Sequence, residues 1–244
     1  MIFGKNTHQQ VGKIVKEYGF KKVLVHFGGS SARSSGLLDR VEKSLFEAGL
    51  SFIEFGGVEP NPKLSMVRKG IALCQREGID FILAVGGGSV IDTTKGAAAS
   101  LACEGVDFAT LQGSEILKAD LPPFIAVPTT AGTGSEVTLV AVVADTHKHA
   151  KLSFTSYKLV PHVAILDPAL TSSLPPKLTA TTGMDALTHA VEAHTSIQKN
   201  PVSDAFAAKA VELIAANLPT ACATRARRRR ARARARRRRR RRRR

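Results

Sequence analysis

Asp185 and His189 stand four residues apart in TTGMDALTHAVEAHTS, residues 181–196, a segment otherwise rich in Ala, Leu, Met and Val. On a helix this spacing places both side chains on one face. A carboxylate with an imidazole suits Fe(II), Zn(II) or Mn(II), although two ligands do not complete a metal site. A buried Asp–His hydrogen bond and a core histidine are the competing interpretations, and the pair alone leaves all three open.

A glycine-rich segment, AVGGGSVID at residues 84–92, follows a continuous apolar run and precedes a segment of small residues with helical spacing. Glycines let a ligand approach the backbone closely, and the first N–H groups of a helix favour a pyrophosphate. Ser89 can cap the helix or bond a phosphate oxygen. We favour a phosphate site over a plain strand-to-helix turn, although the segment is not GxGxxG.

Hydroxyl side chains follow a second strand-like run, in VPTTAGTGSEVT at residues 127–138. Hydroxyls and exposed amides at the end of a strand suit a ribose, a phosphate or a carboxamide. A surface loop rich in Ser and Thr is the competing interpretation. Because the glycine-rich segment also predicts a ligand, we favour binding over a surface loop. The hydroxyls concerned are those of Thr129, Thr130, Thr133 and Ser135.

A third strand end, VHFGGSSARSSG at residues 25–36, bears on the choice of nucleotide. At such a position an acidic residue accepts the 2′-OH of NAD, while small hydroxyls and an arginine accommodate a 2′-phosphate. The segment has no Asp or Glu and offers Ser30, Ser31 and Arg33. It therefore favours NADP over NAD, with an ordinary Gly/Ser loop as the alternative.

Strand-like and helix-like segments alternate through most of the chain, which predicts an α/β fold with a parallel sheet. Strand-like runs occupy residues 21–27, 51–55, 80–85, 123–128 and 162–168, and helical spacing occupies 36–50, 63–78 and 90–103. From about residue 174 the strand signal stops, and two segments that follow Pro-containing turns predict helices. We expect an α/β domain at 1–174, the start of an incomplete helical domain at 175–224, and an arginine-rich tail at 225–244.

The net charge of +16 belongs to this tail, because residues 225–244 contain 16 of the 36 basic residues and the remaining 20 balance 20 acidic ones. Like charges at this density predict disorder and salt-dependent, non-specific binding to nucleic acid or another polyanion. An out-of-frame or low-complexity translation is the preferred alternative, because the tail begins inside a domain. Three scattered cysteines, no visible signal peptide and no long apolar run predict a cytoplasmic protein outside the membrane.

Five motifs in order resemble the iron-containing alcohol dehydrogenase family, and more narrowly its butanol dehydrogenase-like branch. They are FGGVEPNP (55–62), GGGSVID (86–92), PTTAGTGSEVT (128–138), ILDPALTSSLPP (165–176) and GMDALTHAVEAHTS (183–196), and the likeness runs from about residue 3 to 219. Glycerol dehydrogenase-like and dehydroquinate synthase-like enzymes fit less well. The resemblance implies a Rossmann-like dinucleotide-binding domain, an all-helical metal-binding domain and an active site in the cleft between them.

The resemblance also implies roles for particular residues. Gly87, Gly88 and Ser89 are expected to hold the pyrophosphate of NADP or NAD. The metal, Fe(II) or Zn(II), would take Asp185 and His189 as two of its four protein ligands. Other nucleotide contacts are expected from Asn61 and Asp92, from Thr129, Thr130 and Thr133 at the nicotinamide and its ribose, and from Lys151 near the ribose.

The implied reaction moves a hydride between NAD(P)H and an alcohol or aldehyde bound to the metal. In the family, histidines from later helices complete the metal site, whereas this sequence runs into arginine after residue 224. We therefore expect nucleotide affinity without normal dehydrogenase activity, and no residue stands out as a proton donor. A non-catalytic nucleotide-binding fragment with a polyanion-binding tail is the alternative, and a homodimer is expected by family analogy.

Overall fold

The computed structural model describes residues 1–103, 106–111, 113–114, 117 and 120–241. It divides into two compact units. The first comprises Met1–Thr129 and Gly134–Thr171, and the second comprises Thr130–Thr133 and Ser172–Arg244. The main segment of the second unit thus begins at residue 172, and the domain boundary expected at 175 stays a prediction.

The first unit alternates strands and helices, as the sequence predicts. Its strands are β1 (Ile2–Phe3), β2 (Lys22–Phe27), β3 (Ser51–Phe55), β4 (Phe81–Gly86), β5 (Gly113–Ser114), β6 (Phe124–Pro128), β7 (Val140–Asp145), β8 (Ala150–Thr155) and β9 (Val163–Leu166). Its helices are α1 (Val11–Glu17), α2 (Ser30–Ser34), α3 (Leu37–Glu47), α4 (Leu64–Glu77), α5 (Gly88–Ala102) and α6 (Pro168–Thr171). Short 3₁₀ turns lie at Thr7–Gln10, Phe108–Thr110, Ser135–Val137 and Tyr157–Leu159.

Within the described residues, six strands form a parallel sheet in the order β1-β9-β6-β4-β2-β3. The central strand β4 is buried along its whole length, which explains why its sequence is continuously apolar. Helix α3 packs against the core through Leu37, Leu38, Val41 and Leu45. The α/β fold class with a Rossmann-like parallel sheet is therefore confirmed.

A second, smaller sheet was not predicted from the sequence. Strands β7 and β8 form an antiparallel hairpin, and β5 pairs with β8 in parallel. Helix α5 packs against β4, β6 and β7. Residues 93–100 of α5 are all buried, and apart from Lys95 their side chains are small.

The second unit contains α7 (Pro176–Thr195) and α8 (Pro201–Arg241), which pack on each other. A Cβ on Gly183 would lie 2.9 Å from Cδ2 of Leu218, so a larger residue here would require the Leu218 side chain to shift. At 1.5 Å per residue, α8 is about 60 Å long. None of the helices in the described ranges combines the length and apolar character needed to cross a membrane.

The backbone of α8 is helical through Arg241, which differs from the disordered tail expected at 225–244. Alanine and arginine are among the best helix formers, and extending an existing helix avoids the cost of nucleation. These local preferences oppose the charge repulsion on which the expectation of disorder rested.

Candidate functional site

The glycine-rich turn joins the carboxyl end of β4 to the first turn of α5. Gly87 is extended at φ −81° and ψ −174°, and its carbonyl accepts hydrogen bonds from the N–H groups of Val90 at 3.0 Å and Ile91 at 3.3 Å. A Cβ on Gly86 would overlap Cγ2 of Val90 and lie 2.8 Å from its Cβ. The first N–H groups of a helix have no acceptor within it, so Gly88 and Ser89 can present theirs to an anion.

The end of β6 is fastened to the same turn. Gly86 pairs with Pro128 in the sheet, and the Thr129 N–H donates to the Gly86 carbonyl at 3.0 Å. Parallel strands bring their carboxyl ends to one edge of a sheet, where ligands bind in open α/β folds. The structure therefore brings Thr129 beside the glycine-rich turn.

Asp92 lies one turn after the start of α5, and each oxygen of its carboxylate accepts a hydrogen bond. It accepts hydrogen bonds from the Ser135 hydroxyl and, at 3.1 Å, from the Val142 N–H. Burial raises the pKa of Asp92, and these two hydrogen bonds oppose the rise. Asp92 holds the segment after residue 134 against α5, and its expected contact with a nucleotide stays a prediction.

Lys95 is the group at this site that the sequence reasoning missed. Its side chain is fully buried, and its ammonium donates to the carbonyls of Thr138 at 2.7 Å and Val140 at 2.8 Å. Burial lowers the pKa of Lys95 from 10.5 to about 8, while the charges of Asp92 and Glu136 oppose the shift. A lysine one turn after an aspartate, inside a run of small residues, was the available signal.

Arg33 is already paired, which bears on the preference for NADP. Its guanidinium is hydrogen-bonded to the Glu54 carboxylate and lies 5.7 Å from the centroid of the Phe27 ring. Ser30 and Ser31 begin the short helix α2 and are exposed. The structure therefore keeps the two hydroxyls accessible, while the arginine charge is shared with a carboxylate.

Asn61 and Lys151 lie at other places in the first unit. Asn61 has a left-handed backbone (φ 58°) and an exposed side chain in the connection between β3 and α4. Lys151 is exposed on β8 and pairs in register with Ala144. Their roles at a nucleotide stay predictions.

Thr130 and Thr133 belong to a segment of the second unit that meets α7. A Cβ on Gly132 would overlap the carbonyl oxygen of Thr182 and lie 3.0 Å from its carbonyl carbon. Thr182 stands less than one helical turn before Asp185. The hydroxyl-rich segment and the helix of the predicted metal ligands are therefore packed closely together.

Asp185 and His189 share one face of α7, as their spacing predicts, but that face is not a sealed core. Oδ1 of Asp185 lies 3.9 Å from Nε2 of His189, and the side chains are 43% and 52% exposed. Within the described ranges, no cluster of three or more His, Cys, Asp or Glu side chains could hold a metal. The pair offers two suitable donors without completing a metal site.

His194 is engaged elsewhere on the same helix. Its Nδ1 lies 3.0 Å from Oδ1 of Asp204, across the turn between α7 and α8. The ammonium of Lys199 lies 3.9 Å from Oδ2 of the same aspartate. His194 therefore helps to fix the helix pair.

Replacing Asp185 with Asn is expected to change the free energy of unfolding by less than about 0.5 kcal/mol, because exposed ion pairs contribute little. Zn²⁺ is expected to raise the melting temperature of the variant and of the unchanged chain equally, since two donors form no closed site. Urea denaturation and thermal melts with and without Zn²⁺ measure both quantities, with Lys177→Gln, which changes an exposed residue at the start of α7, as the control. A Zn²⁺ effect that disappears in Asp185→Asn alone would contradict this expectation.

Comparison with known proteins identifies the family. The model of "Iron-containing alcohol dehydrogenase" matches residues 1–168, and that of "Fe-containing alcohol dehydrogenase family, C-terminal" matches residues 179–236. The chain belongs to the iron-containing alcohol dehydrogenase family, as the five motifs indicated.

Among curated relatives, the 1,3-propanediol dehydrogenase of Citrobacter freundii is 46% identical over 223 residues, covering 91% of this chain and 57% of that protein. The NAD-dependent methanol dehydrogenase of Bacillus methanolicus is 38% identical, with 91% and 58% covered. A crystal structure of 1,3-propanediol oxidoreductase superposes with a TM-score of 0.87 at 45% identity, covering 91% of this chain and 58% of that one. The chain thus spans a little over half the length of these relatives.

Proposed function

We propose that the protein transfers a hydride between a nicotinamide nucleotide and an alcohol or aldehyde, and that the described residues supply its nucleotide-binding part. The observation that carries this proposal is the glycine-rich turn from β4 to α5, where a side chain on Gly86 would overlap Val90. Such a turn at the carboxyl edge of a parallel sheet, followed by a 15-residue helix, suits a pyrophosphate. Gly87, Gly88 and Ser89 bind it through their N–H groups, and Thr129 is fastened beside them.

NADP is the nucleotide we propose, with NAD as the alternative. Ser30 and Ser31 are accessible at the end of β2, and no acidic residue stands between Phe27 and Gly36 to accept the 2′-OH of NAD. Two relatives carry the other nucleotide in their names, the NAD-dependent methanol dehydrogenase and a probable NADH-dependent butanol dehydrogenase of Bacillus subtilis. The two nucleotides must therefore be compared directly.

The substrate we propose is a small alcohol or its aldehyde, because relatives are named for 1,3-propanediol, methanol and butanol. In the whole protein Asp185 and His189 would contribute to binding Fe(II) or Zn(II), which would polarise the substrate oxygen. In the described residues two donors do not complete that site, so we assign this chain no step that depends on the metal. A homodimer, a cytoplasmic location and polyanion binding by residues 225–244 stay predictions.

The experiment that tests this proposal is a titration of the full chain with NADPH and NADH, followed by the emission of the nicotinamide ring. The chain has no tryptophan, so this emission can be read without energy transfer from an indole. We expect saturable binding of both nucleotides, tighter for NADPH, and competition by ADP because it carries the same pyrophosphate. Binding that inorganic tripolyphosphate displaces as well as ADP would instead indicate attraction to the arginines.

A further inference from the structure

A pocket of about 230 Å³ lies in the first unit, just after β3. It is bordered by the end of β3 and by the first turns of α4, and its lining residues are Gly57, Glu59, Lys63, Ser65, Met66 and Lys69. Gly57 and Glu59 belong to the FGGVEPNP motif, and the other lining residues follow it in the sequence. Two of the six lining residues are lysines, so the charge of the pocket bears on which ligand it would bind.

The pocket adjoins the predicted nucleotide site on two sides. The Gly57 N–H donates to the Gly28 carbonyl at 2.9 Å, which joins the pocket wall to the strand end that precedes Ser30. Met66 packs against the cluster that contains Val90, the residue that fills the space beside Gly86. A nucleotide with its pyrophosphate on the glycine-rich turn would therefore have this pocket beside its adenosine ribose.

The charges of the pocket favour an anion. The Lys63 ammonium lies 2.7 Å from Oε2 of Glu59, so these two charges offset each other. Among the residues described by the structure, Lys69 forms no ion pair and no hydrogen bond, and its side chain is exposed. Lys69 thus leaves one uncompensated positive charge, and a phosphate is the anion that a lysine point charge commonly binds.

Arg33, the cation that the sequence suggested for a 2′-phosphate, is bonded to Glu54. We propose that this pocket binds the 2′-phosphate of NADP, and that Lys69 is the residue that selects NADP over NAD. Lys69 supplies the charge, Ser65 a hydroxyl donor, and Ser30 and Ser31 border the ribose. This inference rests on the proposed nucleotide-binding function and names the subsite that gives it specificity.

The test compares adenosine 2′,5′-bisphosphate with adenosine 3′,5′-bisphosphate by calorimetry on the full chain. The two ligands carry the same charge, so attraction to the arginine-rich segment is equal for both. Lys69→Gln is expected to weaken binding of the 2′,5′ isomer by about tenfold, the loss of one charge-assisted hydrogen bond. ADP and the 3′,5′ isomer are expected to bind as before, and the control Lys13→Gln, which removes an exposed lysine on α1, is expected to change neither.

The possible outcomes distinguish failure of the 2′-phosphate subsite from failure of the proposed nucleotide site. If Lys69→Gln binds the 2′,5′ isomer as tightly as the unchanged chain does, or loses both isomers equally, the 2′-phosphate subsite is wrong while saturable ADP binding keeps the nucleotide site. If ADP itself does not bind to the unchanged chain, the proposed function fails and the subsite fails with it. Because Lys69 is exposed, circular dichroism is expected to give the same melting temperature for both proteins.

Discussion

Replacing Lys95 with alanine is expected to lower the free energy of unfolding of the first unit by about 3–5 kcal/mol, the range for breaking a buried charged contact. The change removes the donor to the Thr138 and Val140 carbonyls. It also leaves a cavity beside α5, where the buried lysine side chain was. Lys95→Met fills most of that volume without a charge and is expected to cost less. Urea denaturation followed by circular dichroism measures both variants.

Raising the pH is expected to stabilise the unchanged chain, because burial lowers the pKa of Lys95. Between about pH 8 and pH 10.5 the buried amine has lost its proton while the same lysine in the unfolded chain still holds one. The unfolded state then binds more protons, so this group's contribution to the free energy of unfolding rises with pH, by up to about 3 kcal/mol. Below pH 8 both states are protonated and the contribution is constant.

A second buried group, the Cys74 thiol, has the opposite effect on the pH dependence of stability and therefore needs its own control. Burial raises the pKa of Cys74 from 9.0 to about 11, so its contribution to stability falls as pH rises through this range. The comparison is therefore made in a Cys74→Ala background, with and without Lys95→Met. Equal pH dependence with and without Lys95 would show that the buried amine does not titrate as the structure indicates.

Replacing Gly86 with alanine is expected to weaken ADP binding by at least about 30-fold, which corresponds to about 2 kcal/mol. The added methyl group would overlap Cγ2 of Val90, so the turn or the start of α5 has to shift. Either shift moves the N–H groups of Gly88 and Ser89, and a hydrogen bond to a pyrophosphate weakens steeply with poor geometry. Calorimetric titration with ADP measures the loss.

Removing the clash provides the matched control. Val90→Ala alone is expected to leave ADP affinity nearly unchanged, because the residue does not supply the expected contacts. The double variant Gly86→Ala with Val90→Ala is expected to recover part of the affinity, since the overlapping Cγ2 atom is gone. Equal losses in the single and double variants would mean that Gly86 matters for a reason other than space beside Val90.

The main sheet was predictable because buried parallel strands are continuous apolar runs, as in residues 80–85 for β4. The β7–β8 hairpin was missed, although β7 alternates in burial and its inward face carries Ala141 and Val143. The sequence of β7, VAVVAD, is apolar through its first five residues and does not show that alternation, and no Asn-Gly or Asp-Gly turn marked the hairpin.

Other features depend on contacts between elements that are distant in the sequence. Lys95 is recognisable as a buried cation only once α5 packs against the sheet and β7. The pairing of Arg33 with Glu54 joins residues on different elements, so the sequence left the arginine available for a phosphate. The close packing of Gly132 on Thr182 likewise joins segments 50 residues apart. The glycine-rich turn was predicted from local pattern, whereas the contacts that support it were not.

The most direct test of the account is an amide nitrogen–proton correlation spectrum of the full chain, recorded as ADP is added. We expect the largest, saturable shifts at Gly87, which precedes α5, and at Gly88 and Ser89, which begin it. Signals of Asp185 and His189 on α7 are expected to move little, because ADP carries neither a nicotinamide nor a metal. Shifts confined to the arginines of residues 225–244, with the glycine-rich turn unchanged, would contradict a nucleotide site at the end of β4.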